Sequence, residues 1–350
     1  MIAGFLVTRN RHELLITNLE SAAALGFDVH ILDATRESCA VALAFCKSHS
    51  AMHYHHLPEA SYVERMLYGL ENSDSMFCVQ LSDDDFFSPK ALAKCARFLE
   101  ANPDHAAAQG AFWVAGGPSG IGLEHYCPSL DDDDPAQRLL RHATFYGHTA
   151  YALCRREEFI QSIMVAQKYG DNDCFIELVV SFTLALSGKV KRFPDMYCLR
   201  THNSNQTLQV RYSSHPRLWL ENDPEGYKLC LENFLVQFEK AIAGLPAVEG
   251  RPSFREIFDY YLRGVFDPFE DIVCRHPHLL FIMEQMGGTQ NAFDALRNTE
   301  RAKREEMSRN LEPSLRGFLQ EAIPWKDETG LACMLPPADL PARLLLGRAS

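Results

Sequence analysis

Phe77-Cys78-Val79-Gln80-Leu81-Ser82-Asp83-Asp84-Asp85-Phe86-Phe87-Ser88-Pro89 sets a short, largely apolar run directly against three carboxylates. The spacing predicts a buried strand over Met76 to Leu81. Ser88 and Pro89 then open a helix reaching Glu100, with the serine at the N-cap and the proline in the first turn. In an open α/β sheet, ligands bind beyond the carboxyl ends of the strands, which is where Asp83, Asp84 and Asp85 fall. Three adjacent acids repel one another unless a cation or strong donors offset them. Their hard oxygens suit Mg2+ or Mn2+, which bind one or two carboxylates together with substrate phosphates. The competing reading is a helix N-terminal turn whose acids complement the macrodipole.

Upstream of this stretch the chain alternates apolar runs with helical patterns, the rhythm of an α/β sheet. Ile2 to Val7, Val29 to Leu32 and His53 to Leu57 read as strands, and Asn10 to Leu25 and Tyr62 to Leu70 as helices. Downstream, Ala106 to Ala115 reads as a strand, Gly116 to Gly122 as a mobile loop and Pro135 to His142 as a helix. Ala150 to Arg155 reads as a further strand. Cys174 to Leu186 forms a long apolar helix stopped by Gly188. Lys189 to Phe193 and Met196 to Arg200 complete the region as two short strands. Beyond residue 215, Leu229 to Ile242, Phe254 to Val265, Leu279 to Met286 and Asn291 to Arg309 read as helices. The expected organisation is therefore a catalytic unit over 1–214, a helical region over 215–334 and a poorly ordered tail over 335–350.

Bulk properties narrow the classes of function. With 350 residues, 47% hydrophobic and 23% charged, the chain is a folded protein with room for a large core. A net charge of -12 argues against nucleic acid as a partner. Eleven cysteines without a C-x-x-C pair read as reduced thiols. Arg9, Arg11, His12 and Glu13 interrupt the apolar start before a signal peptide forms, and no stretch reaches the length of a membrane span. A cytoplasmic location with no transmembrane segment is the expectation.

Leu81-Ser82-Asp83-Asp84-Asp85-Phe86-Phe87-Ser88-Pro89 resembles the D-x-D segment of GT-A-fold glycosyltransferases, particularly the family 2-like group. Val7-Thr8-Arg9-Asn10-Arg11-His12-Glu13-Leu14-Leu15 is similar to the same group's first-strand segment, P-T-x-N-R-x-x-x-L, with Val7 in place of the proline. The resemblance covers roughly residues 1 to 205. It implies a Rossmann-like, mostly parallel sheet flanked by helices, and a nucleotide-sugar donor bound with Mn2+ or Mg2+. Aligned through Pro89, the group's first acid falls on Ser82. The implied principal metal ligand is then Asp84, Asp83 contacts ribose or metal-bound water, and Asp85 either binds the metal or orients the turn. Thr8, Asn10 and Arg11 are implied on the donor side, with Asp33 meeting the nucleobase.

The resemblance also implies a carboxylate base before Gly188, either Glu177 or Asp173. Leu199-Arg200-Thr201-His202-Asn203-Ser204 is similar to a late R-x-H-x-x-S segment, which implies His202 at the metal or diphosphate and Arg200 at the leaving group. Inversion at the anomeric carbon, a UDP-sugar as the default donor and a carbohydrate, glycolipid or other hydroxyl acceptor complete the expectation. A nucleotidyltransferase of similar fold is disfavoured because Thr8-Arg9-Asn10-Arg11 contains no glycine. A binding scaffold without turnover is the remaining alternative.

Other polar clusters read as structural. Asp131 to Asp134 precede Pro135 and read as a solvated helix start. Arg155-Arg156 reads as a surface pair. His53, His55 and His56 lack the further ligands of a zinc site. Phe254, Phe258, Tyr260 and Tyr261 read as core.

Overall fold

A computed structural model describes residues 1–117, 120–123, 127–169, 173–201 and 224–265. The strands are β1 (Ile2–Thr8), β2 (Asp28–Asp33), β3 (Met52–His56), β4 (Phe77–Ser82), β5 (Phe86–Phe87), β6 (His105–Gly117), β7 (Gly120–Leu123), β8 (Leu153–Arg155) and β9 (Lys189–Thr201). The helices are α1 (His12–Ala23), α2 (Ala40–Ser48), α3 (Tyr62–Glu71), α4 (Pro89–Ala101), α5 (Pro135–Thr144), α6 (Arg156–Ala166) and α7 (Asp173–Ser187). Two more, α8 (Pro224–Ala243) and α9 (Phe254–Val265), follow. The expected helices at Leu279 to Met286 and Asn291 to Arg309, and the tail over 335–350, lie outside the described residues.

The strands form one mixed sheet in the order β3-β2-β1-β4-β8-β6-β9-β5, with β7 paired to β6. The β3-β2-β1-β4 half is parallel, and β8 joins it to the rest by antiparallel pairing on both sides. Alternate side chains of a strand point to opposite faces, and this divides the core in two. Leu6, Ile31, Val79 and Leu81 pack with Leu15, Leu19, Leu92 and Leu99 under α1 and α4. On the other face Phe5 and Leu32 pack with Met66, Phe159 and Phe182 under α3, α6 and α7. Helices α4 and α3 begin at capping residues. The Ser88 hydroxyl accepts from the Ala91 amide at 3.1 Å with Pro89 in the first turn of α4, and Ser61 and Glu64 form a reciprocal capping box on α3.

Helices α8 and α9 share the second core instead of standing apart from it. Phe182 of α7 meets Phe234, Phe238 and Phe254 edge-on, with ring centroids 5.5, 5.9 and 5.8 Å apart. Phe254, Phe258 and Tyr261 are buried, as the sequence reading expects.

Three local expectations are corrected. Gly116 to Gly122 is not a loop throughout: β7 returns along β6, pairing Trp113 with Leu123 and Val114 with Gly122. The expected pair of strands at 189–193 and 196–200 is a single β9. Phe193, Pro194 and Asp195 are taken up where the register with β6 shifts between Gln109 and Ala111, as a bulge absorbs a proline. Gly110 faces this bulge, and a Cβ there would lie 2.4 Å from the Asp195 carbonyl oxygen. The segment Ala150 to Arg155 divides into a 3-10 turn over Thr149–Tyr151 and the short β8.

Candidate active site

The parallel register lines up the ends of three strands. Thr8 lies opposite Asp33 on β2, and Val7 opposite Ser82 on β4, so Thr8, Asp33 and the acidic turn share one edge of the sheet. From the other half, β5 pairs antiparallel with β9, Phe86 with Leu199 and Phe87 with Cys198. That pairing carries Arg200 and Thr201 to the same edge.

All three turn acids are buried, with Asp83 only 1% exposed. Asp83 accepts from the Thr8 hydroxyl at 2.7 Å and lies 3.2 Å from the Arg11 guanidinium. Arg11 also pairs closely with Asp84, whose other oxygen accepts from the Ser82 hydroxyl. Asp85 accepts from the Thr201 amide at 3.2 Å and lies 3.7 Å from Arg200 Nε. The backbone of the turn is anchored independently. Asn18 of α1 donates to the Ser82 and Asp85 carbonyls at 3.1 and 3.0 Å, and the Thr201 hydroxyl to the Asp84 carbonyl at 2.7 Å. Burial, reinforced by Asp84, raises the Asp83 carboxyl above its ordinary value, although Arg11 and Thr8 pull it back.

Three carboxylates face two guanidiniums, leaving an excess of negative charge enclosed by protein. That donor set fits a hard divalent cation. Among the described residues no three His, Cys, Asp or Glu side chains converge as a preformed metal cage. Ions of the Mg2+ class commonly complete their shell with waters and substrate phosphates. His202 lies outside the described residues.

The base side is assembled from more distant parts of the chain. Glu177, on the first turns of α7, accepts from the Tyr146 hydroxyl at 2.9 Å and from His148 Nδ1 at 2.8 Å. Arg200 donates to His148 Nε2 at 2.8 Å. Arginine can only donate, so Nε2 is the accepting nitrogen and Nδ1 carries the proton toward Glu177. A continuous polar line thus runs from Asp85 through Arg200 and His148 to Glu177. Burial alone would raise the Glu177 carboxyl, but His148, Arg200 and Tyr146 bring it below its ordinary value. Asp173 opens α7 one turn earlier, at the end of the helix where acids are favoured.

Toward the β2 end, Asp33 is fully buried and accepts from the Thr35 amide at 2.8 Å, Tyr54 at 2.6 Å and His12 at 2.8 Å. Burial would raise this carboxyl, and the three donors lower it. Asn10 has a left-handed φ of 58°, which asparagine tolerates better than most residues, and its amide donates to the Thr35 hydroxyl at 2.8 Å. This turn delivers Arg11 to the acids.

His12, Tyr54, Asn18, Thr201, Tyr146 and His148 escaped the sequence reading. His12 stands inside the first-strand segment and Thr201 inside the late one, where neighbouring matched residues could have drawn attention to them. Tyr146 and His148 follow a short helix with no local motif, and only the approach of α7 gives them a role. The other polar clusters are structural. Asp132, Asp133 and Asp134 pair with Arg141, Lys189 and Arg251. The helix start is solvated as expected, with Asp133 94% exposed, and it also carries ion pairs to α5, β9 and the segment before α9. Arg155 and Arg156 are not a surface pair: they donate to the Leu99 and Leu70 carbonyls at the ends of α4 and α3.

No protein-family model matches the chain, and no curated protein matches it in sequence. Solved structures do share its fold. S. aureus TarS 1-349 in complex with UDP-GlcNAc aligns with a TM-score of 0.55 at 13% identity, over 90% of this chain and 91% of that one. The mannosyltransferase PcManGT from Pyrobaculum calidifontis in complex with GDP-Man and Mn2+ aligns with a TM-score of 0.47 at 13% identity, over 92% and 85%. The chain has the α/β architecture of GT-A proteins.

Proposed function

We propose that this chain is a glycosyltransferase that moves a sugar from a nucleotide-diphosphate donor to a hydroxyl acceptor with inversion, assisted by Mn2+ or Mg2+. One observation carries the reading: the line Asp85–Arg200–His148–Glu177, which joins an acidic turn at the strand ends to a lone carboxylate facing the same site. A transferase of this class needs those two elements together, a place for the leaving diphosphate and a base for the incoming hydroxyl. S. aureus TarS with UDP-GlcNAc bound, on the same architecture, supports a nucleotide-sugar donor.

Asp84 and Asp85, with His202, would hold the cation, which when bound supplies charge stabilisation at the diphosphate. Arg200 adds a fixed positive charge on the leaving-group side, and Thr8 and Asp83 shape the donor's ribose end. Asp33, held by Thr35, Tyr54 and His12, closes the nucleobase end next to Asn10.

Glu177 takes the acceptor's proton. Its depressed affinity for protons keeps it ionised, and it suffices because the hydroxyl becomes acidic only as its oxygen bonds to the anomeric carbon. His148 and Tyr146 fix the carboxylate against rotation, and the surrounding protein limits competing attack by water. Asp173, near the same helix end, is the second candidate base.

Among the described residues no helix is long and apolar enough to cross a membrane. A cytoplasmic enzyme, with residues 1–214 as its catalytic unit and 215–334 as a helical C-terminal region, completes the proposal. The first test is calorimetric binding of UDP, GDP and other nucleoside diphosphates with and without Mn2+, on wild type and Asp84→Ala. Metal-dependent binding lost in the variant supports the reading and names the base. Equal binding in both, or none at all, overturns it.

A further inference from the structure

The Arg11 pairing is not a simple surface one: its side chain is 14% exposed and sits against Asp83 and Asp84, which are 2% and 6% exposed. It stands at the N-cap position of α1 yet makes no capping bond to that helix. Its backbone is set by the left-handed Asn10, itself bonded to Thr35. The side chain is thus delivered inward against the acids, while only the backbone carbonyl of Arg11 serves α1, accepting from the Leu14 and Leu15 amides. Burial disfavours the Arg11 charge, but the three acids outweigh burial and hold the guanidinium ionised.

We propose that Arg11 is an internal stand-in for the divalent cation, a counter-charge that keeps the acidic turn satisfied until a nucleotide diphosphate arrives. It then exchanges Asp84 for the incoming phosphates. The inference rests on the metal-site reading of Asp84 and Asp85 given above. Electrostatics supports the exchange. Buried carboxylates this close together favour a positive charge beside them, and a guanidinium can bridge two carboxylates and then fork onto a phosphate. The consequence is an ordered requirement: the cation alone must compete with Arg11, whereas cation and nucleotide together give Arg11 somewhere to go. A latch closed in about 99% of molecules lowers apparent affinity for free cation about 100-fold, and one closed in about 90% lowers it about 10-fold.

The test titrates Mn2+ alone into the full chain, following free Mn2+ by electron paramagnetic resonance, and then repeats the titration with UDP or GDP present. Wild type, Arg11→Met, Arg11→Lys and Asp84→Ala are compared. Arg11→Met is expected to tighten binding of Mn2+ alone about 10- to 100-fold, while weakening Mn2+-dependent nucleotide binding. That reversal of sign is one that a merely structural role would not give, since a loosened site weakens both. Arg11→Lys, which keeps the charge but not the fork, is expected to lie between wild type and Arg11→Met, and it carries the test if Arg11→Met does not fold. Unchanged or weaker Mn2+ binding in the Arg11 variants, with wild-type nucleotide-linked Mn2+ binding still dependent on Asp84, overturns the latch alone. Nucleotide-linked Mn2+ binding that survives Asp84→Ala overturns the metal-site reading, and the latch with it.

Discussion

Asp83 and Glu177 are both carboxylates enclosed by the same site, yet their surroundings push them in opposite directions. Asp83 shares its turn with two like charges, and burial with the Asp84 repulsion raises it. Glu177 is half-buried, which also disfavours its charge, but it stands among His148, Arg200 and Tyr146, and is lowered. Groups of one chemical type whose environments drive them apart serve different roles. The turn gathers three carboxylates around two guanidiniums and so suits a cation; the glutamate stays ionised and so suits a proton acceptor. A third acidic region, Asp131 to Asp134, has more acids than either. It is spent on ion pairs with Arg141, Lys189 and Arg251 and lies among more exposed groups.

The contrast can be broken most sharply at Glu177. Glu177→Gln keeps the hydrogen-bonding shape but cannot take a proton, so kcat is expected to fall about 10²- to 10⁴-fold with donor affinity retained. Steady-state kinetics beside calorimetry checks this. Donor affinity falling as steeply as kcat would move Glu177 from proton acceptor to binding group. Asp84→Ala is expected to do the reverse, removing cation-dependent donor binding by about 100-fold or more, because a bound ion contributes several kcal/mol of charge stabilisation.

The pH dependences should also have opposite signs. Asp83 is raised in the folded chain, so its stabilising contribution is full below its unfolded value and is lost as pH rises through the folded one. Melting temperature should therefore decline in wild type as pH rises from 3.8 to about 7, and flatten over that range in Asp83→Asn. Glu177 is lowered, so its contribution is present above its unfolded value and disappears only as pH falls through the folded one, below about 4.5. An identical profile in Asp83→Asn would show that another group governs the decline. The smallest effect is expected at Asp133→Ala. Its exposed pair with Lys189 should leave donor binding and melting temperature unchanged, and a loss of donor binding there would erase the distinction between the two acidic runs.

Most elements were legible because their side chains repeat with the period of the structure they form. Ile2 to Val7 is buried on both faces, Ser88-Pro89 marks a helix start, and Phe254 to Val265 begins and ends where expected. Ala40–Ser48 was not legible, since its helix carries apolar residues around its whole circumference, with Val41 and Leu43 exposed, and so shows no polar face. The strand pair ending at Arg200 was read as two because Pro194 breaks local pairing, and only the bulge opposite Gly110 lets it continue as one.

By itself the sequence determined the acidic turn, its place at a strand end and the helix after it, since these depend on neighbours a few residues away. It also determined that Glu177 lies near the start of a helix. What it left open was the company each acid keeps. Arg11 reaches Asp84 across 73 positions, Tyr146 reaches Glu177 across 31, and Thr201 reaches the turn across 117. The first follows from the parallel register of β1 with β4, the second from the approach of α7 to the segment after α5, and the third from the return of β9 along β5. Charge acts through space, so whether a carboxylate awaits a cation or a proton was decided only when the fold chose its neighbours.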